Sequence, residues 1–452
     1  MKKIAVLKFG GTSMGTADSI KDSAAVIIER VKEGKTPFVV VSAISKMTDI
    51  LLNMLQLAKN KKKKEFNEVF KAIKQRHYDI IESLTTNISQ QEKYKKIIDN
   101  RFDYLYNIFN GIILIGEYNE KLHAEVASSG EFISSYLMEL CLIEQGIKAE
   151  QVNSKNLIRT EGGYLSADAN FKQTKRQFKK LSSKLEKGIV FVMSGFYGAN
   201  SNREIQLMGR GASDFSASIV GVSINACIVE IWTDANGIMS ADPRIIKNAV
   251  SWKVLSRGIA SEIARAGAKV LHPKTIVATY YGIEVVIRNV FDKSNPGTLI
   301  KSENNDDGVK GLIADGVYSI VHLENEDMFS NVGFIAKMGI IADKNNIQID
   351  MVATSEASVS FTIKSSLLTK STLKEFNDIS NVKISDNVTK ISIIGGNITS
   401  GDALAKTFEA LSKNKIEVLM SSIGNTKNNI GIVVAEENKN KALEVLHNVL
   451  IV

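Results

Sequence analysis

The regular alternation of short apolar runs with helical patterns most constrains the fold, and it begins at the first residues. The run IAVLKF predicts a strand, and the apolar stripe within 19–32 predicts a helix. The continuous apolar run at 38–44 is typical of a strand buried on both faces of a parallel sheet. Further strands are predicted at 147–152, 188–193, 226–232 and 283–289. Strands alternating with helices predict an α/β fold with a mostly parallel sheet sandwiched by helices.

Two breaks in composition divide the 452-residue chain. Residues 60–145 are rich in lysine and helical patterns, with no Gly or Pro before Gly111, so they predict a helical insertion on the sheet domain. The segment 291–308 is polar and rich in turn residues. We therefore expect a first domain at 1–300 and a second region at 309–452.

The second region contains an internal repeat with a constant offset of 69 residues. Segment 333–363 aligns with 402–434, and Met351 pairs with Met420 in that alignment. Each copy has the pattern of a small unit of strands around a helix. A duplicated unit of this kind is typical of appended ligand-sensing modules, although generic α/β patterning is the alternative explanation.

Charge and cysteine content exclude several classes of protein. The net charge is +8, but only 11 of the 57 basic residues are Arg. The sequence has no basic patch interleaved with aromatic residues, so it does not predict nucleic-acid binding. Two cysteines exclude a disulfide scaffold and favour the reducing cytoplasm. No apolar stretch approaches the roughly 18 residues of a membrane span, so we expect no membrane partner.

The sequence KFGGTSMG at 8–15 follows the first predicted strand. Gly10 and Gly11 are expected to adopt positive φ and let an anion approach the backbone. A helix N-terminus near Thr16 would add N–H groups to such an anion cradle. A simple turn is the alternative reading of the Gly-Gly pair.

Three further segments concentrate polar residues between elements. In LMGRGASD, at 207–214, two glycines flank Arg210, and Ser213 with Asp214 is expected to cap a helix. The block IWTDANGIMSADPR, at 231–244, places polar residues after a strand, where α/β proteins bind ligands. GAKVLHP, at 267–273, holds a lysine between a helix and a proline.

These segments, in this order, resemble the aspartokinase family of the amino acid kinase fold. The family motifs are KFGGTS at 8–13, VSA with the following Thr48, Gly130-Glu131, GRGASD at 209–214, WTD with DPR at 232–244, and GAKVLHP. The repeated tail resembles the family's two ACT domains, with the second copy, at about 388–436, expected to be nested in the first. The resemblance implies ATP-dependent phosphorylation of the aspartate side-chain carboxylate, the first step toward lysine (through diaminopimelate), threonine and methionine.

The resemblance also implies roles for individual residues. Lys8 and Lys269 would bracket the transferring phosphoryl group, and Asp214 would hold these lysines in place. The aspartate pocket would comprise Ser42, Thr48, Glu131, Arg210 and Ser213, with Arg210 on the α-carboxylate and Glu131 on the α-ammonium. The nucleotide site would comprise Lys8, Gly10, Gly11, Thr233, Asp234, Arg244 and Lys269. Mg²⁺ would enter with ATP, held by phosphates and water rather than by a protein metal site.

Lysine is the expected effector, bound by the tail of a homodimer or homotetramer associated through its ACT domains. A cationic effector suits the acidic residues there better than neutral threonine does; solvated loop acids are the alternative. The residues expected to line this site are Met328, Asn331, Gly333, Phe334, Ile349, Asp350, Thr354, Ser355 and Glu356.

Two other functions remain to be weighed. Another amino acid kinase, acting on glutamate, acetylglutamate, carbamate or UMP, is disfavoured by the paired tail and the aspartate-pocket motifs. A catalytically silent amino-acid sensor is disfavoured by Lys8, Asp214 and Lys269. Ala212 and Met239 depart from the family pattern, and no fused homoserine dehydrogenase is expected.

Overall fold

The computed structural model describes residues 3–268, 270–324, 333–355, 357–399, 402–424 and 426–451. Strands lie at β1 Ile4–Phe9, β2 Thr36–Val41, β3 Ala149–Val152, β4 Thr160–Glu161, β5 Asp168–Ala169, β6 Val190–Ser194, β7 Tyr197–Ala199, β8 Ile205–Leu207, β9 Ile228–Thr233, β10 Val254–Ser256, β11 Glu284–Asn289, β12 Thr298–Lys301, β13 Gly308–Glu324, β14 Val352–Thr354, β15 Ser358–Lys364, β16 Asn381–Gly396, β17 Met420–Ile423 and β18 Asn429–Ala435.

The α-helices are α1 Ala17–Lys32, α2 Met47–Lys59, α3 Lys63–Leu84, α4 Ile88–Ile115, α5 Glu120–Ala127, α6 Ser129–Glu144, α7 Ser154–Leu157, α8 Phe171–Phe178, α9 Ser182–Glu186, α10 Ala212–Ile224, α11 Arg257–Arg265, α12 Phe334–Lys344, α13 Lys370–Asn377, α14 Asp402–Lys413 and α15 Lys439–Leu450. Short 3₁₀ helices occupy Thr12–Met14, Lys179–Leu181, Pro273–Tyr281, Ser365–Leu367 and Glu436–Asn438.

The chain forms two compact units. The first comprises Met1–Ile238 and His272–Ser302, and the second comprises Met239–Leu271 and Glu303–Val452. This division differs from a single boundary near residue 300, because Ala241 and Ile246 are buried in the same apolar cluster as Leu312. The intervening segment 239–271 therefore belongs to the second unit.

A mostly parallel sheet forms the centre of the first unit, with the order β12-β11-β9-β1-β2-β6-β3. All neighbouring strands in this order are parallel except β12, which runs antiparallel to β11. β2 is buried along its whole length, as its apolar sequence requires when helices cover both faces. The predicted α/β fold is confirmed.

The strand register aligns the carboxyl ends of the central strands. Phe9 pairs with Val41 on β2 and with Trp232 on β9, and Val41 pairs with Ser194 on β6. The loops that follow β1, β2, β6 and β9 therefore leave from the same edge of the sheet, which is where ligands bind in open α/β sheets.

The predicted helical insertion consists of α3 to α6. Its core is apolar and aromatic: Phe66, Phe102 and Phe109 are buried, and the rings of Phe66 and Phe109 lie 5.0 Å apart. One stretch, Glu120–Glu144, is long and apolar enough to cross a membrane by length and composition. However, 78% of its apolar window is buried inside the protein, as in the core helix of a globular domain.

The repeat predicted in the tail is visible in the second unit. The first copy contributes α12, β14, β15 and α13, and the second contributes α14, β17, β18 and α15. Their strands form one sheet of order β14-β15-β13-β16-β18-β17 with antiparallel neighbours. Met351 and Met420, which the repeat aligns, are buried in one apolar cluster.

Two long strands are shared between the copies. The second half of β13, from Tyr318, pairs with β15 of the first copy, and the second half of β16, from Val388, pairs with β18 of the second copy. The first half of β13 pairs with the second half of β16. The first half of β13 therefore belongs to the second copy, and the chain forms the first copy before it returns to complete the second. The first copy is thus nested in the second, whereas the second was expected to be nested in the first.

Candidate active site

A buried ion pair joins the first strand to the first turn of α10. Lys8, near the end of β1, is only 8% exposed, and its Nζ lies 2.5 Å from Asp214 Oδ1. The Thr275 hydroxyl donates a hydrogen bond of 3.4 Å to the other carboxylate oxygen. The pair holds one ammonium in a fixed position at the carboxyl edge of the sheet, where a phosphoryl group could be neutralised.

The loop after β1 approaches its neighbours closely, but not by the expected conformation. Gly11 has φ −62°, and Gly10 is not among the glycines with positive φ, so the expectation of positive φ is wrong. The constraint is space: a Cβ on Gly10 would lie 3.5 Å from Lys8 Nζ, and one on Gly11 would lie 3.4 Å from the Ala43 carbonyl oxygen. The predicted helix N-terminus is present, because Thr16 caps α1.

The second glycine-flanked loop does contain left-handed glycines. Gly209 has φ +81° and Gly211 has φ +65°, and between them Arg210 is exposed. Gly211 is the N-cap of α10, so the expected cap at Ser213-Asp214 is wrong; both residues lie within the first helical turn. A Cβ on Gly211 would lie 2.3 Å from the His272 ring, so His272 closes this turn by packing.

Ala212, the departure from the family pattern, is accommodated. It is the first residue of α10 and is buried, with no positive φ. Because the first turn of a helix accepts any L-residue, its Cβ requires no rearrangement of the backbone.

Glu131 carries the most perturbed carboxylate at this edge. It lies in the first turn of α6, is 4% exposed, and its Oε2 has no hydrogen-bond partner among the residues described. Burial raises the pKa of Glu131 to about 8, although backbone hydrogen bonds from Glu131 itself and Ala43 oppose the shift. A buried, unpartnered carboxylate oxygen is poised to accept a cationic ligand group.

The segment after β2 lies between these groups. Ser42 donates its backbone N–H to the Phe9 carbonyl oxygen at 3.0 Å, and Thr48 lies in the first turn of α2. A Cβ on Gly130 would come within 2.8 Å of the Ala43 Cβ. Ala43 therefore packs against both the first glycine loop and the start of α6, so the segments that contain Ser42 and Glu131 are neighbours; their role in binding aspartate, and that of Arg210 and Ser213, stays a prediction.

The predicted nucleotide residues are divided between the two units. Thr233 ends β9 and Asp234 follows it in the first unit, where the Thr233 hydroxyl donates to Asp234 Oδ1 at 3.2 Å. Arg244 belongs to the second unit and is bound by Asp242. Lys269 lies outside the described residues, so its role and that of Arg244 stay predictions.

In the second unit, the described residues of the expected effector site lie at the start of α12 and in the segment 349–355 around β14. Gly333 caps α12, but Phe334 is 3% exposed and packs into the core, so only its backbone is available to a ligand. Asp350 forms an ion pair with buried Lys390. Ile349 packs at the edge of the core, while Thr354 ends β14 and Ser355 bonds Ser358. Met328, Asn331 and Glu356 lie outside the described residues.

Sequence reasoning missed two contributions to the loops near α10. A Cβ on Gly195 would lie 2.8 Å from the Ser213 Cα, so the loop after β6 presses directly against the first turn of α10. Lys274 donates its Nζ to the Met208 carbonyl oxygen at 2.9 Å. Gly195 follows a predicted strand, a position that could have identified it; no local pattern identifies Lys274.

Comparison with known proteins agrees with this arrangement. The amino acid kinase family profile matches residues 3–289, and an ACT domain profile matches 383–448. The chain is 29% identical over 470 residues to a bifunctional aspartokinase/homoserine dehydrogenase of Buchnera aphidicola, with 98% of this chain and 56% of that protein covered. It is 26% identical to lysine-sensitive aspartokinase 3 of Escherichia coli, with 99% of both chains covered. The chain thus spans about half the length of several curated relatives and nearly all of another.

Two solved structures are similar over the whole chain. The crystal structure of E. coli aspartokinase III in complex with lysine and aspartate has a TM-score of 0.84 at 26% identity, covering 99% of this chain and 100% of that one. The Clostridium acetobutylicum aspartate kinase has a TM-score of 0.81 at 25% identity, with the same coverage. These similarities confirm the predicted resemblance to aspartokinases. Since the kinase profile covers more than half of the sequence, the chain belongs to the amino acid kinase family.

Proposed function

We propose that this protein is an aspartokinase that transfers the γ-phosphoryl group of ATP to the side-chain carboxylate of L-aspartate, giving 4-phospho-L-aspartate. The observation that carries the proposal is the unpartnered, buried carboxylate oxygen of Glu131. Once ionised, it would pair with the ammonium of an amino-acid substrate, next to Ala43, which also lies close to the glycine loop after Lys8. The aspartokinases that resemble the chain over its whole length support the same substrate.

The reaction needs positioning and charge neutralisation more than covalent chemistry. The attacking aspartate carboxylate is already ionised at neutral pH, so no general base is required. Lys8, fixed by Asp214, stabilises the charge that develops on the phosphoryl oxygens. Arg210 grips the substrate α-carboxylate with two parallel N–H bonds, and Glu131 takes the α-ammonium, which leaves the side-chain carboxylate directed at ATP.

The residues fit a divalent cation that arrives with the nucleotide. In the described part of the chain, no three His, Cys, Asp or Glu side chains are grouped to hold a metal, and Asp214 is already engaged by Lys8. Mg²⁺ would be coordinated chiefly by phosphates and water, and exposed Asp234, which directly follows β9, could add a carboxylate ligand. Bound in this way, Mg²⁺ would neutralise the phosphate charge.

We also propose that lysine inhibits the enzyme by binding the tail of a homo-oligomer. Asp350 already forms an ion pair with the ammonium of Lys390, which supports the proposal that its carboxylate can bind a primary amine. An effector lysine would compete for this carboxylate, with its own carboxylate near the N-terminus of α12. Inhibition follows only if lysine binds an inactive arrangement more tightly than the active one.

The wider setting follows from the same proposal. The kinase profile at 3–289 supports a catalytic domain at 1–300, and the ACT domain profile at 383–448 supports a regulatory role for the tail. Both cysteines are free thiols, which suits the cytoplasm. The product would enter the synthesis of lysine, threonine and methionine.

A hydroxamate assay tests the proposal, since hydroxylamine traps acyl phosphates. Purified protein is incubated with Mg²⁺-ATP and L-aspartate, or with glutamate, acetylglutamate or carbamate in its place, and with lysine or threonine added. UMP is tested by the release of ADP, because its phosphorylated product is a phosphoanhydride that hydroxylamine does not trap. We expect turnover with aspartate that lysine reduces. Turnover with another acceptor would reassign the enzyme within its family, and lysine binding without any turnover would instead indicate a silent sensor.

A further inference from the structure

The helical insertion contains two arginines among many lysines, Arg76 on α3 and Arg101 on α4. Both arginines are partly buried and reach out of their helices to segments that carry the candidate active site. A guanidinium presents five donors in a rigid planar fork, whereas an ammonium is a compact charge on a flexible stem. The two arginines are therefore suited to hold main-chain groups at a set separation.

Arg76 ties together the loops that follow the first two strands. Its Nη1 donates to the Ser45 carbonyl oxygen at 3.0 Å, and its Nη2 donates to the Gly15 carbonyl oxygen at 3.1 Å. Gly15 closes the KFGGTSMG loop after Lys8, and Ser45 lies between Ser42 and Thr48 of the aspartate-pocket segment. One guanidinium thus spans the phosphoryl side and the aspartate side of the site.

The backbone next to this contact is strained. Lys46, which follows Ser45, has φ +65° and is the N-cap of α2 without a side-chain capping bond. A non-glycine residue in the left-handed region is strained and persists only where its surroundings hold it. The bond from Arg76 to Ser45 supplies part of that restraint.

Arg101 holds the segment that leads into Glu131. Its Nε and Nη2 donate to the Ser129 hydroxyl oxygen at 3.1 Å and 2.8 Å, and Nη2 also donates to the Glu125 carbonyl oxygen at 3.0 Å. The Glu125 carboxylate pairs with Nη1 at 3.2 Å. Ser129 is the first residue of α6 and lies two residues before Glu131.

We propose that the helical insertion acts as a clamp in which Arg76 and Arg101 are positioning residues. Arg76 would position the loop on the phosphoryl side against the loop on the aspartate side, and Arg101 would position the ammonium-binding start of α6. This inference rests on the proposed function. It assigns no contact with substrate to either arginine. The two arginines act through Gly15 and Ser45 in one case and through Ser129 in the other.

Conservative variants test the clamp in the full-length protein. Arg76→Lys and Arg101→Lys keep the positive charge and the aliphatic part of the side chain, but a lysine ammonium cannot form the two divergent N–H bonds of a planar guanidinium. We expect Arg76→Lys to lower kcat about 10- to 100-fold, because small misplacements of reacting groups have effects of that order. We expect Arg101→Lys to raise KM for aspartate about tenfold, the effect of losing one charged hydrogen bond, with little change in KM for ATP.

Arg159→Lys is the matched control. Arg159 is also partly buried and donates Nη1 to a main-chain carbonyl, that of Lys155, at 2.8 Å, but it holds none of the loops of the site. Its kcat and both KM values should stay near those of the wild type. Thermal melting of all variants separates misplacement from unfolding.

Three results would overturn the clamp. The first is unchanged kcat and KM in both Arg76→Lys and Arg101→Lys. The second is a loss of activity in Arg159→Lys as large as in those two variants. The third is a loss of activity that follows the fall in melting temperature, without the expected separation into a kcat effect for Arg76→Lys and a KM effect for Arg101→Lys. Each leaves the proposed function intact if the wild type phosphorylates aspartate. A wild type without aspartate-dependent turnover would reject the proposed function, and the clamp with it.

Discussion

Aspartate binding should expel a proton from Glu131. The side chain is 4% exposed, and burial raises the pKa of Glu131 to about 8 from an ordinary value of 4.5. A difference of 3.5 units corresponds to roughly 5 kcal/mol that disfavours the ionised form in the free protein. At pH 7, one unit below this pKa, about nine tenths of the free molecules would carry a protonated Glu131.

The substrate ammonium reverses this preference. A cation bound to the carboxylate favours its ionised form, so the pKa of Glu131 falls when aspartate binds. The proton leaves on binding, and the affinity for aspartate rises as the pH increases toward 8. Near pH 7 we expect the release of close to one proton per site.

Calorimetry in two buffers of different ionisation enthalpy measures the released proton between pH 6.5 and 8.5. Glu131→Gln is the perturbation: it removes the titrating group while keeping the shape, so proton release should vanish and aspartate should bind at least about tenfold more weakly. ATP binding serves as the internal control and should be unchanged in the variant.

The raised pKa of Glu131 also determines how the free energy of unfolding changes with pH. The folded protein keeps the Glu131 proton between pH 4.5 and about 8, whereas the unfolded chain loses it near 4.5. Stability from this group is thus complete below pH 4.5 and is lost as the pH rises through 8. Denaturation of the ligand-free Glu131→Gln variant should show a smaller loss over that range. A pH-independent aspartate affinity, with no proton released, would refute the reasoning.

Other substitutions give separate tests. Lys8→Ala and Asp214→Ala should each lower kcat by about 10²–10³ with the circular dichroism spectrum unchanged, since each removes part of the charge stabilisation; near-normal turnover in either would contradict the assignment. Arg210→Ala should raise KM for aspartate much more than KM for ATP, measured by initial rates, and equal changes would exclude the carboxylate contact. Asp350→Asn should weaken lysine inhibition in the hydroxamate assay while uninhibited turnover persists. Threonine inhibition without lysine inhibition would reject this reading of the tail.

The apolar patterns predicted the elements of the first unit well. β3, β6, β9 and β11 lie within or overlap the predicted runs, and the insertion is helical as expected. These elements follow from local periodicity, which a sequence displays directly. The kinase motifs likewise identified Lys8 and Asp214, which form an ion pair across 206 positions of sequence.

Features that depend on distant contacts were not predictable in the same way. Gly11 was expected to have positive φ, but the proximity of Ala43 explains the glycine instead. The cap of α10 lies two residues earlier than expected, at Gly211, where a left-handed backbone and the nearby His272 ring both require glycine. Arg76 is one basic residue among many in its helix, and only the fold shows which carbonyl groups it meets.

The two long strands of the tail make its repeat inseparable. Each of β13 and β16 belongs to one copy along half its length and to the other copy along the rest. No boundary between two strands of the sheet therefore separates the copies. Excising either copy would strip hydrogen-bond partners from the shared strands and create a bare edge prone to aggregation. A protein engineer who transplants this tail must therefore move both copies together, from Gly308 to the end of α15, and must also keep 239–271, which shares the apolar core of the second copy.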